Sequence, residues 1–109
     1  MREIPGDFAV VTDPTEGGAT LVLTGELDMA SLPQLDAAVA ALREGTGLGR
    51  VIVDLRRLRF LDSMGLEFLI KLDAETELVL VRGPRPVHRL FDVMQMESVL
   101  TIVDEPPEG

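Results

Sequence analysis

No cysteine occurs among the 109 residues, which excludes disulfides, thiolate metal sites and cysteine nucleophiles and fits a reducing compartment. Tryptophan and tyrosine are also missing and phenylalanine occurs only four times, so the 46% hydrophobic content is mostly aliphatic. A Leu/Val core follows, rather than a platform of rings on which nucleic-acid bases stack. There is no apolar run of signal-peptide or membrane-spanning length, and Met1 is followed by Arg2 and Glu3, so a soluble cytoplasmic protein is expected. Positive charge is scarce. Ten Lys and Arg against nineteen Asp and Glu give a net charge of −9, a field that repels phosphate backbones and anionic membranes. Neither direct nucleic-acid binding nor membrane association is expected. Arg56, Arg57 and Arg59 form a local exception, read as a solvated loop, a contact to an acidic partner or a site for phosphate or nucleotide.

What is present suffices for one core. A chain of this size buries about two-thirds of its surface on folding, enough to be stable without metal or crosslink. The organisation expected is a flexible N-terminus over 1–7, a single domain over 8–103 and an acidic tail over 104–109, where Asp104, Glu105 and Glu108 carry three of the negative charges. No cofactor and no metal are implied.

Periodicity sets the element order. Phe8 to Val11 reads as a short strand ending at Asp13-Pro14, with Glu16-Gly17-Gly18 as a turn. Ala19 to Thr24 alternates as a second strand that Gly25 stops, and the two strands are expected to form a hairpin. Ser31 and Gln34 match a capping box for a helix whose Leu32, Leu35, Val39 and Leu42 face inward, ended by the segment Gly45 to Gly49. Val51 to Leu55 suits a central strand covered on both faces. Asp62 precedes a second helix bearing Leu66, Leu69, Ile70 and Asp73 on one side, with Glu67 and Lys71 paired outside. Glu77 to Val81 is a further strand, Val87, Leu90, Phe91 and Met94 line a third helix, and Val99 to Val103 is a last edge strand. The fold class is α/β, a mixed sheet of four or five strands covered by about three helices.

Two polar segments follow apolar strands, where loops of such sheets carry function. They are Gly25-Glu26-Leu27-Asp28 and Phe60-Leu61-Asp62-Ser63-Met64-Gly65-Leu66. With Ser31-Leu32-Pro33 between them, and with Val51 to Leu55 and Val87 to Asp92, this order of motifs resembles the STAS domain, specifically the small bacterial anti-anti-sigma factors, across about residues 8–103.

The resemblance implies an anti-sigma factor antagonist that binds an anti-sigma factor with serine kinase activity and regulates sigma-dependent transcription. Ser63 takes the position that such a kinase phosphorylates and a PP2C-like phosphatase restores. Glu26, Asp28, Asp62, Met64 and Gly65 take partner-binding positions, and no residue is catalytic. Three departures stand out. The second helix and its loop, from Gly65 to Glu77, are more than a turn shorter than is usual in the family. Met64 occupies a place where the family pattern carries Ser or Thr, and the final helix is missing because Asp104-Glu105-Pro106-Pro107 interrupts it. A homodimer or a partner would then cover the surface that helix leaves. The alternative function is a STAS scaffold or accessory interaction subunit outside sigma control.

Residue chemistry alone gives plainer roles beside these. Asp62 suits an N-cap accepting the N–H of Met64 or Gly65. Asp28 suits loop capping, Gly25 a turn and Gly65 close helix packing. Ser63 near a helix start is a first-turn hydroxyl whose phosphate would meet the positive end of the helix. His88, the only histidine, reads as a surface residue near Asp92.

Overall fold

The computed structural model describes residues 7–45 and 47–107. The expected flexibility of the N-terminus therefore concerns residues of which all but Asp7 lie outside the described set, as do Thr46, within the segment expected to end the first helix, and positions 108–109 of the tail. The chain forms β1 (Ala9–Thr15), β2 (Gly18–Leu27), α1 (Leu32–Glu44), β3 (Arg50–Leu61), α2 (Ser63–Glu75), β4 (Glu77–Val81), α3 (Arg85–Val93), a short 3-10 turn (Met96–Ser98) and β5 (Ile102–Val103). The five strands stand in the sheet in chain order. β1 runs antiparallel to β2 as a hairpin and every later pair is parallel. The fold is thus α/β, a five-stranded mixed sheet with three helices.

Chain order dictates where the helices go. Each parallel crossover steps one strand along the sheet in the same direction, and the right-handed rule then puts α1, α2 and α3 on one face. The strand sequences agree. In β2 the residues Ala19, Leu21, Leu23 and Leu27 are buried while their even-numbered neighbours are half-buried. These inward residues join Val51, Val53, Leu55 and Leu58 of β3, Leu35 and Val39 of α1, Leu66 and Leu69 of α2, and Val87 and Phe91 of α3 in one core. The opposite face carries only the small cluster Ile52, Val79 and Val81, against which Val103 packs. Over Val51 to Leu55 both faces of β3 are therefore buried, although helices cover one.

Several local expectations are corrected. β1 continues through Pro14, which pairs with Ala19; as an edge strand it has one side without a ladder, where a missing N–H costs nothing. Gly25 does not stop β2. It sits inside the strand at φ 97°, next to an irregularity in the β2–β3 register, and a Cβ there would run into the carbonyl of Asp7. β3 does not end at Leu55 but runs to Leu61, so Arg56, Arg57 and Arg59 are strand residues and not a loop. This extension pairs with β2 alone, since β4 ends where Val81 meets Asp54. The capping box at Ser31 is not formed. The last strand shrinks to two residues because Met96 to Ser98 turns in 3-10 form, with Met94 and Val99 left exposed. His88 is buried and not on the surface.

Candidate functional site

The ends of β2 and β3 deliver two loops side by side. Leu27 pairs with Leu61 in the parallel ladder, and the N–H of Asp62 donates to the Leu27 carbonyl at 3.2 Å. Asp28 and Ser63 are therefore each one step beyond a hydrogen-bonded junction.

On the first loop, Asp28 folds its carboxylate over its own backbone. Its Oδ1 accepts from the N–H of Ala30 at 3.0 Å and from that of Ser31 at 3.1 Å. Ser31 is buried at this corner, and its hydroxyl accepts from the N–H of Asp28 at 3.0 Å while donating to the Glu26 carbonyl at 2.8 Å. Ser31 does not cap α1 because the Gln34 N–H that a capping hydroxyl would engage donates to the Ser31 carbonyl at 3.0 Å, while the hydroxyl serves the loop. Gln34 is likewise spent elsewhere, its amide donating to the Phe8 carbonyl at 3.5 Å.

On the second loop, Asp62 is extended, at φ −101° and ψ −179°, and its Oδ1 accepts from the N–H of Gly65 at 2.9 Å. Ser63 is thereby the first residue of α2 and is exposed. Capping Gly65 leaves the N–H groups of Ser63 and Met64, which no helix of this start can pair internally, for solvent or an anion. Gly65 is buried because the helix lies close against β2: a Cβ there would come within 2.7 Å of Leu61 Cδ1 and 3.1 Å of the Leu27 carbonyl oxygen.

Asp28, Asp62, Ser63, Met64 and Gly65 are thus brought together. Glu26 is not. Its carbonyl serves Ser31, but its side chain belongs to the helix-free face, where Glu26 pairs across the strands with the half-exposed Phe60. Three apolar residues near the junction remain unusually open: Met29 is 68% exposed, Phe60 46% and Met64 42%. Met29 is not among the residues that the sequence motifs mark; its position directly after Asp28 in a loop is the one signal for it.

Two polar arrangements lie outside this junction. The Asp54 carboxylate, buried on the helix-free face, accepts from the backbone N–H of Arg56 at 3.0 Å and from its guanidinium at 2.8 and 3.0 Å. Burial alone would raise its pKa, but these bonds outweigh it and hold the carboxyl below the usual range. His88 Nε2 accepts from the N–H of Gly83 at 2.7 Å, while Nδ1 finds no hydrogen bond and lies 3.8 Å from Glu97. Burial, aided by the Arg82 charge, pushes the imidazole pKa down. His88 is therefore a neutral core acceptor that fixes the β4–α3 turn.

Among the described residues, no group of three or more His, Cys, Asp or Glu side chains is arranged to hold a metal ion, and no helix is long and apolar enough to cross a membrane. Residues 10–103 match the family described as Mlab, STAS domain. The chain belongs to the STAS domain family. Solved structures similar to this STAS domain include an anti-sigma factor antagonist from Mycobacterium paratuberculosis, with TM-score 0.81 and 19% identity over 95% of this chain and 92% of that one. The anti-sigma factor antagonist SpoIIAA in its unphosphorylated form gives TM-score 0.69 and 23% identity over 90% of each chain. The Bacillus cell fate determinant SpoIIAA in its phosphorylated form gives 0.63 and 23% over 89% of this chain and 93% of that one. At these identities the likeness is one of fold. No curated protein matches the STAS domain sequence significantly.

Proposed function

We propose that this STAS domain is an anti-sigma factor antagonist that binds a kinase-type anti-sigma factor and is switched off by phosphorylation of Ser63. The observation that carries this reading is the exposed Ser63 hydroxyl at the first position of α2, behind the Asp62 cap and beside the Asp28 loop. The fold shared with solved anti-sigma factor antagonists supports it.

The chemistry asked of this chain is modest. The partner holds ATP and supplies the metal and the base. Ser63 Oγ bonds to the γ-phosphorus as the bridge to the β-phosphate breaks, the hydroxyl proton passes to the partner's base and ADP leaves. The domain contributes the nucleophile and its placement and is not itself an enzyme. The added group carries about −1.5 to −2 charges and three acceptor oxygens. At a helix start it is tolerated by the fold, because the unpaired N–H groups and the dipole favour an anion. At the surface it changes recognition, because it enlarges the negative charge already held by Asp28 and Asp62. A PP2C-like phosphatase would reverse the change. Asp28, Asp62, Met64 and Gly65 form the partner-facing surface, with Glu26 at its margin, on a single domain spanning 8–103. The working location is the cytoplasm, without direct nucleic-acid or membrane contact.

A second reading, an accessory STAS subunit outside sigma control, draws on Met64. This exposed methionine stands where the antagonist pattern carries a hydroxyl and enlarges the apolar part of the surface. One experiment separates the two. The chain is incubated with ATP and the ATP-binding anti-sigma factor encoded nearest to it, then measured by intact-mass and fragmentation spectrometry. One phosphoryl group at Ser63, absent in Ser63→Ala, supports the antagonist. A folded chain that neither binds this anti-sigma factor nor is phosphorylated by it supports the accessory subunit.

A further inference from the structure

Two cavities open between α1 and α2 and join into one groove. The wider, about 370 Å³, is lined by Met29, Leu32, Pro33, Asp36 and Phe68. The other, about 200 Å³, shares Asp36 and Phe68 with it and continues past Lys71 to Arg43 and Glu75. There the groove closes, because the Arg43 guanidinium grips the Glu75 carboxylate from helix to helix at 2.7 and 3.0 Å. Its other end is open at the functional junction: Met29 follows Asp28, and Met64, one turn before Phe68 on α2, follows Ser63. From Leu32 to Arg43 the α1 wall is roughly 16 Å long at 1.5 Å per residue. Beyond the Arg43–Glu75 pair the walls carry one charge each, Asp36 on α1 and Lys71 on α2, the latter 3.7 Å from Glu67 one turn back on its own exposed helix face.

We infer that this groove receives an amphipathic helix of about three turns from the kinase-type partner. The inference rests on the reading of the chain as an anti-sigma factor antagonist and deepens it. The length suits a helix that lays apolar side chains at i, i+3 or i+4 and i+7 into the space between Leu32 and Phe68. The opposed walls specify a basic residue on that helix beside Asp36 and an acidic one beside Lys71. Met29, in the lining at the mouth, repacks around such a ligand at little cost. Continuity with the Ser63 surface gives the arrangement its use: a helix seated in the groove brings the remainder of the partner over the hydroxyl to be phosphorylated. Met64 then belongs to the docking surface, which accounts for an apolar side chain beside the phosphosite.

Calorimetry with the same kinase, together with the kinetics of Ser63 phosphorylation, tests the groove. Met29→Asp, Phe68→Ser and Lys71→Glu are compared with the unaltered chain and with Val93→Ser, whose exposed side chain lies at the far end of α3. Met29→Asp and Phe68→Ser are each expected to weaken Kd about tenfold or more. They are also expected to raise KM for phosphorylation while leaving kcat unchanged, because the serine itself is untouched. Lys71→Glu is expected to weaken binding and to be rescued by reversing the facing acidic residue of the partner. Phe68 packs partly against the core, so Met29→Asp and Lys71→Glu, both at exposed positions, keep the test valid if Phe68→Ser does not fold. Unchanged Kd and KM in these two folded variants, with Ser63 still phosphorylated, would overturn the groove and leave the antagonist reading standing. A chain that neither binds the kinase nor is phosphorylated removes both. Concentration-dependent dimerisation abolished by Met29→Asp would overturn the inference by assigning the groove to a second copy.

Discussion

The carboxylate of Asp62 accepts the N–H of Gly65 at 2.9 Å, and this bond sets the first residue of α2 at Ser63. Asp62→Ala is expected to lower stability by ~1 kcal/mol through loss of the cap. Gly65→Ala is expected to cost ~1–3 kcal/mol, because its Cβ must displace Leu27 or Leu61 or push the helix off β2. Urea denaturation measures both. Asp62→Ala should also slow phosphorylation of Ser63 more than its stability loss explains, since the hydroxyl is no longer fixed at the helix start.

Ser63→Ala is expected to bind the anti-sigma factor as well as the unmodified chain does and to escape regulation. Phosphorylated Ser63 should bind more weakly by ~2–5 kcal/mol where the contact is desolvated, or roughly thirtyfold to several-thousandfold. Ser63→Asp should reproduce only part of this, having one charge and a smaller group. Calorimetry at fixed salt and nucleotide, with circular dichroism as the check on folding, compares the three forms. Equal affinity of the unmodified and phosphorylated chains would sink the binding switch.

His88 gives the fold a pH response of predictable sign. Its folded pKa lies below the unfolded value because burial, helped by the Arg82 charge, disfavours the imidazolium, and protonation would also cost the bond from the Gly83 N–H. The unfolded chain therefore takes up a proton first, and stability should fall as pH drops below about 6.5 toward the depressed folded pKa. Asp54 and Glu75, whose pKa values are also lowered, add a loss in a more acidic window, as pH falls through the carboxylate range. His88→Gln is expected to flatten the stability profile between about pH 5 and 7 while leaving the acid limb in place. Urea midpoints across pH read the difference, and an unchanged profile would contradict this role for the ring.

Gly25 combines a left-handed backbone with a neighbour that leaves no room for a side chain. Gly25→Ala should destabilise by ~2 kcal/mol or more, and the register irregularity beside it means that the Asp28 loop is displaced as well. Amide chemical shifts of residues 26–31 in the variant check the second effect, and a melting curve checks the first.

The sequence revealed most where a residue answers to its own neighbours. Alternation in β2 named its inward side, and Asp62 announced the start of α2, because both are local signals. It revealed less where the answer lies across the sheet. Nothing near Arg56 shows that Asp54 will hold it within a strand, and nothing near Gly25 shows that the chain continues straight past it. Ser31 and Gln34 have the spacing of a capping box, but the competing partners, the Glu26 carbonyl and the Phe8 carbonyl, appear only once the loop is closed. His88 looks like a surface residue in a list of charges and becomes a core acceptor because Gly83 returns beneath it. The groove between α1 and α2 was equally out of reach, since its walls are paired only by the crossover that sets the helices side by side.

Strands that stand in the sheet in the order of synthesis also decide how the sheet stops growing. Each new strand can add to the edge left by the one before, so the template for the next addition is always the most recent strand. The series begins with β1, whose Pro14 lacks a donor, and finishes with β5, which offers two residues. Both open margins are thus poor guides for a foreign strand. If the domain meets its partner through the loops after β2 and β3, as proposed, its sheet edges are in this way kept from joining that partner through the backbone.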